Sequence, residues 1–363
     1  MVCAIYKTIF AMLAAIACSS TQADLAVAYS PWNHEPPTAD IIGAELKLLA
    51  QDFSVFRSYQ TMAGNVNLVK AAYEAHLQID VGIDMTDETK IDLEIKAVCS
   101  AYKLYSQTIR TVYVGNENLL NNGFGKYSVS DIVQYIKQVQ QCVGAEVRVG
   151  TAQRINEWLT VSRVEEIVEV STANGANIYP FFSDMGILTP VKMLQAQWDQ
   201  LATKFDMTNF RVSETGWPTA GEEANGNTAS VEVAQQYLAD VTLWSVSKTV
   251  IWFMFSDSIK SYNGMETEKH FGIYDATCST KKLVLSAKQM LPNMGNTTSL
   301  PTLSKDQPVQ QNPAVPSKDQ PEQQNPAVPS KDQPEQQNAE NHSTPVNNET
   351  GKPSGTTGKD CAM

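Results

Sequence analysis

Eight short apolar runs, separated by segments of helical periodicity, occupy residues 24–293 and constrain the fold more than any other feature. The runs fall at 25–29, 54–59, 78–83, 111–114, 146–150, 176–180, 210–213 and 249–255. Each is too short for a helix and rich in β-branched or aromatic residues, so each reads as a strand. Between them Val191, Leu194, Trp198, Leu201 and Phe205 step by 3, 4, 3 and 4 after Thr189 and Pro190, a helix with an N-cap and a proline in its first turn. Val231, Ala234, Leu238 and Val241 repeat the pattern after Ser230, and Val66, Val69, Tyr73 and Leu77 after Asn65. Eight strands alternating with helices predict an α/β protein, a (β/α)8 barrel. An open doubly wound sheet would place a glycine-rich phosphate turn after its first strand. Here that strand runs into Ser30-Pro31-Trp32-Asn33, and no such motif occurs in the chain.

Both ends differ from this middle. Lys7 followed by the apolar run from Ile9 to Cys18 and the small residues near Ala23 reads as a signal peptide over residues 1–23. Secretion to the extracellular space or cell wall is expected. Residues 294–363 contain no Phe, Tyr or Trp and repeat with a 13-residue period starting at Ser304, Ser317 and Ser330. Such a segment buries too little apolar surface to offset its ordering entropy, so a disordered tail is expected. Three glycosylation sequons lie there, at Asn296, Asn341 and Asn348. The polar terminus Lys359-Asp360-Cys361-Ala362-Met363 argues against a lipid anchor. Four cysteines remain after residue 23, and Cys99 and Cys142, on helical stretches of neighbouring units, form one possible bridge.

The net charge of −12 disfavours a phosphate backbone, so no nucleic-acid partner is expected. His34, His76, His270 and His342 stand at no metal-ligand spacing, and no G-x-S-x-G elbow is present. No metal and no cofactor are expected. In barrel enzymes the chemistry sits at the C-terminal strand ends. The fourth run ends in Val114-Gly115-Asn116-Glu117-Asn118 and the seventh in Val212-Ser213-Glu214-Thr215-Gly216-Trp217-Pro218. Two carboxylates on opposite sides of a barrel mouth suit glycoside hydrolysis, in which one acid protonates the leaving oxygen and the other attacks the anomeric carbon.

These stretches, VGNEN at 114–118 and SETGWPTAG at 213–221, resemble the two signatures of glycoside hydrolase family 17, the β-1,3-glucanases and glucan transglycosylases. The resemblance implies a retaining enzyme with Glu117 as acid/base and Glu214 as nucleophile. It implies that Asn116 hydrogen-bonds a sugar 2-hydroxyl, and that Tyr179 and Tyr59 (in Arg57-Ser58-Tyr59) line the substrate site. Glu268 belongs to a late motif, 268–272, that matches as well. After the eighth strand the family pattern is altered: Asp257 stands in place of a glutamate, with Lys260 retained, and both are carried as substrate-binding candidates. Trp217 is read as a platform for a pyranose face rather than a packing residue, because indole faces stack on apolar ring surfaces. The expected function is a secreted, monomeric endo-β-1,3-glucan hydrolase, with transglycosylation on the same intermediate or non-catalytic glucan binding as alternatives.

Overall fold

The computed structural model describes residues 25–261 and 264–285. The signal-peptide and tail expectations, including the sequons and Cys361, lie outside the described residues. Eight parallel strands close into a barrel: β1 (Leu25–Ala28), β2 (Val55–Arg57), β3 (Gln78–Ile83), β4 (Ile109–Asn116), β5 (Arg148–Arg154), β6 (Asn174–Asn177), β7 (Phe210–Thr215) and β8 (Val250–Trp252). Each pairs with its chain neighbours, and β1 closes the ring on β8 through Leu25–Val250, Ala26–Ile251 and Val27–Trp252. All eight expected runs became strands.

Helices cover the outside: α1 (Ala39–Leu49), α2 (Leu68–Glu74), α3 (Ile91–Tyr105), α4 (Val129–Gln140), α5 (Ile155–Thr160), α6 (Glu165–Val170), α7 (Pro190–Lys204) and α8 (Val231–Trp244). In α7 the buried residues are Leu194, Trp198 and Leu201, the stripe the spacing indicated. Ser230 caps α8 through Val233 N. The cap of α2 is Asn67, not Asn65: Val66 and Asn67 first pair with Met62–Ala63 in a hairpin, which delays the helix by two residues. After β8 the described residues form a 3₁₀ turn at Glu266–Lys269 before the description ends at 285, so the helix expected there is not among them. Cys99 on α3 and Cys142 just past α4 are bridged across a 5.4 Å Cα separation.

Alternation along each strand sorts the core. Val27, Val112, Val114, Val250 and Trp252 join the large apolar layer under the helices. Ala26, Ala28, Val55, Tyr113, Ala152 and Ile251 form a separate cluster, the filling of the barrel itself. A charged pair shares that interior: Asp80 is 1% exposed and accepts from Arg110 Nε at 2.9 Å. Burial alone would raise its pKa, but Arg110, together with Thr111 and Arg148, outweighs it and holds the Asp80 carboxyl below its ordinary range.

Candidate active site

At the end of β4 the backbone leaves the strand abruptly. Gly115 (φ +74°) and Glu117 (φ +54°) both occupy the left-handed region, and the β4–β5 register shifts between Tyr113 and Asn116. For a non-glycine residue that conformation costs on the order of 1–3 kcal/mol, so the surroundings must hold it. They do: Glu117 N donates to Ala152 O at 2.9 Å, and Asn116 N to Asn118 Oδ1 at 2.7 Å. A Cβ on Gly115 would lie 2.8 Å from both Asn118 Oδ1 and Met85 Sδ. The result is a half-buried Glu117 carried away from the strand line.

Glu214 lies within β7 and is 4% exposed. Arg57 Nη1 donates to its Oε1 at 2.8 Å, and the Tyr179 hydroxyl donates to its Oε2 at 2.6 Å. The same guanidinium donates to Ser213 O at 2.9 Å and to Asn116 Oδ1 at 2.7 Å, and it lies 4.9 and 5.0 Å from the ring centres of Tyr59 and Tyr113. Asn177 Nδ2 donates to Glu117 Oε1 at 2.7 Å and to Asn116 Oδ1 at 3.1 Å. One connected set of bonds therefore joins both carboxylates through Arg57, Asn116 and Asn177.

The electrostatics divide the pair. Burial, and then the charge of Glu214, push the Glu117 pKa up to about 7, against the Asn177 hydrogen bond and Arg154. Tyr179 is pushed well above the usual tyrosine range by burial and by Glu214, so it stays a hydroxyl donor. Burial works against the charge on Arg57, yet Glu214, with Tyr59, Tyr113 and Tyr179, raises its pKa overall. One group at the mouth thus keeps a proton near neutrality while a second carboxylate faces a fixed guanidinium. That is the division of labour acid and nucleophile require.

Tyr59 and Tyr179 stand at this site. Their rings continue into an arc the motifs did not reveal: Trp32 lies 5.4 Å from Tyr59, Tyr59 lies 6.3 Å from Phe253, Phe253 lies 5.8 Å from Tyr179, and Tyr179 lies 6.1 Å from Phe182. All five rings are half-buried. Gly216 admits Phe253 to this arc, since a Cβ there would come within 2.6 Å of Phe253 O. Arg57 stood in the Arg57-Ser58-Tyr59 stretch without a role, and Asn177, the last residue of β6, had none. Phe253 and Phe182 had no signal beyond their position after strands β8 and β6.

Two expectations change. Trp217 is 2% exposed, donates from Nε1 to Thr228 O at 3.1 Å, and packs edge-on against Phe181 and Tyr237. It is a packing residue, because its side chain is enclosed and offers no face to a sugar. Asp257 is 8% exposed and turned toward the fold, where its Oδ1 accepts from Lys282 Nζ at 2.6 Å and Gly272 N at 2.9 Å. Its Oδ2 faces His270 Nδ1 at 3.3 Å. Lys260 pairs on the exposed rim with Glu35. Glu268 is half-buried and lines a small cleft with Phe253, Ser258 and Phe271, at the edge of the aromatic arc.

Comparison with known proteins gives the family. The model of the BtgE/BtgC glycoside hydrolase domain matches residues 26–272. A probable family 17 glucosidase of Saccharomyces cerevisiae is 25% identical over 252 residues, which cover 68% of this chain and 64% of that protein. A cell surface mannoprotein of Candida albicans is 24% identical over 257 residues, 68% of this chain and 66% of that protein. The chain thus spans just under two thirds of the length of these two relatives. A crystal structure of a family 17 β-1,3-glucanosyltransferase from Rhizomucor miehei superposes with a TM-score of 0.62 at 22% identity, over 73% of this chain and 98% of that one, and shares the barrel fold. The chain belongs to the BtgE/BtgC glycoside hydrolase family, and the family 17 resemblance carried by its two carboxylate motifs holds.

Proposed function

We propose that this protein is a secreted, retaining endo-β-1,3-glucan hydrolase. The observation that carries the reading is the unequal pair: Glu117 with its pKa near 7, and Glu214 held between Arg57 and Tyr179. In the first step Glu117 gives its proton to the glycosidic oxygen while a Glu214 oxygen bonds to the anomeric carbon and the leaving chain departs as an alcohol. In the second, the Glu117 carboxylate takes a proton from water, and that water displaces Glu214 from the anomeric carbon with net retention. Asn116 Oδ1 already accepts from Arg57 and Asn177, which leaves its NH2 end for the 2-hydroxyl of the sugar. Trp32, Tyr59, Phe253, Tyr179 and Phe182 supply apolar faces for successive glucose rings.

The substrate class follows the relatives' names: a Schizosaccharomyces pombe glucan 1,3-beta-glucosidase, 25% identical over 243 residues, covers 63% of this chain and 75% of that protein. Location in or at a cell wall fits the mannoprotein relative and the N-terminal signal. Timed product analysis on laminarihexaose tests the reading. Internal cleavage products with retained anomeric configuration are expected. Release of glucose alone would replace endo by exo action, products longer than the hexamer would replace hydrolysis by transfer, and no cleavage would refute the enzyme reading.

A further inference from the structure

We propose that Asn177 is a positioning residue for Glu117, its amide locked by Ser213 on one side and by Arg57 through Asn116 on the other. Hydrogen-bond polarity fixes the amide. A guanidinium has only donors. Arg57 Nη2 lies 2.7 Å from Asn116 Oδ1, so the atom it meets must be the Asn116 oxygen. The Asn177 atom 3.1 Å from that same oxygen must then be its nitrogen, which turns the NH2 group toward Glu117 Oε1 at 2.7 Å. The remaining Asn177 oxygen must be an acceptor, and Ser213 Oγ donates to it at 2.7 Å. Asn177 is 2% exposed and Ser213 0%, so water cannot substitute for either contact. The amide has one orientation, in which it always presents a donor to the acid.

Ser213 is the residue before Glu214, and Arg57 touches Glu214 directly. The strand that carries one carboxylate therefore sets the hydrogen bond received by the other. A donor favours the ionised form of the group it faces. It thus offsets part of the burial that holds the proton on Glu117, and it steers Glu117 Oε1 while the carboxyl alternates between acid and base. The other charged and titratable groups facing Glu117 are Glu214 on β7, Arg154 at the end of β5, Glu157 on α5 and Tyr179 beyond β6, with Arg57 acting through Asn116. Removing the Asn177 amide deletes none of these charged groups, although it takes one donor from Asn116 Oδ1.

The kinetic consequence rests on the glycosidase reading, but the hydrogen bond itself does not. The test is a carbon-13 NMR titration of glutamate carboxyl groups in the full-length protein, with Glu117→Gln used to assign the Glu117 signal. In Asn177→Ala the Glu117 titration moves up by about one pH unit. In Ser213→Ala, which keeps the amide but removes one of its two locks, it moves in the same direction by less. On laminarihexaose the alkaline limb of kcat/KM shifts by the same amount. An unchanged Glu117 titration in both variants overturns the proposal. If Asn177→Ala does not fold, the Ser213→Ala titration decides alone. A moved titration in a protein without turnover would keep this inference and refute the enzyme reading instead.

Discussion

Arg57 Nη1 lies 2.8 Å from Glu214 Oε1, with 1% and 5% of the two side chains exposed. The same guanidinium reaches Ser213 O, Asn116 Oδ1 and the faces of Tyr59 and Tyr113. A single cation thus holds the candidate nucleophile, the residue before the acid, and the aromatic wall.

Removing that cation leaves a buried carboxylate uncompensated, at a cost of about 3–5 kcal/mol. Arg57→Leu is expected to lower stability by that amount in urea unfolding and to abolish activity. Arg57→Lys keeps the charge but has no planar fork, so it should fold better than Arg57→Leu while losing most of kcat. Equal stability of wild type and Arg57→Leu would contradict the description of this pair.

The raised pKa of Glu117 links stability to pH. Folded, this carboxyl keeps its proton to about pH 7, whereas an unfolded glutamate releases it near pH 4.3. Between those values the native state binds more protons than the unfolded state, so stability falls as pH rises through the window. The loss is about 3 kcal/mol, complete above pH 7. Glu117→Gln cannot ionise. It should match the wild type at pH 4, exceed it by up to about 3 kcal/mol at pH 8 in urea unfolding, and be catalytically dead. A stability difference that does not change with pH would refute the assignment.

The two aromatic residues nearest β7 and β8 should behave differently. Trp217→Ala empties an enclosed site and is expected to cost about 3–5 kcal/mol of stability. Any residual folded protein should keep a near-normal KM. Phe253→Ala removes a half-buried ring from the arc, and should raise KM for laminarihexaose several-fold with a smaller loss of stability. A KM effect confined to Trp217→Ala would restore it as a sugar platform.

How much of this was legible beforehand depended on the range over which each feature is encoded. The strands were legible because burial on both sides of a parallel barrel demands continuous apolar runs. The two carboxylates were legible because strand ends of a barrel are where polar residues converge. Trp217 was misread because adjacency to Glu214 in sequence does not say which way a side chain turns once the strand has ended. Asp257 was misread for a similar reason: its partner, Lys282, is 25 positions away, and the nearer Lys260 is drawn to Glu35 from the loop after β1. The cap at Asn67 was hidden by a two-residue hairpin too short to show a period. The aromatic arc is assembled from the ends of β1, β2, β6 and β8, and no local pattern connects those positions.

A retaining mechanism requires Glu214 to form a covalent bond to the sugar. Incubation with an activated 2-deoxy-2-fluoro-β-laminaribioside, followed by proteolysis and mass spectrometry, reads that bond directly. A fluorinated disaccharide attached to the peptide carrying Glu214, absent in Glu214→Gln, is the expected result. A label on another residue, or turnover of the reagent with no label at all, would contradict it.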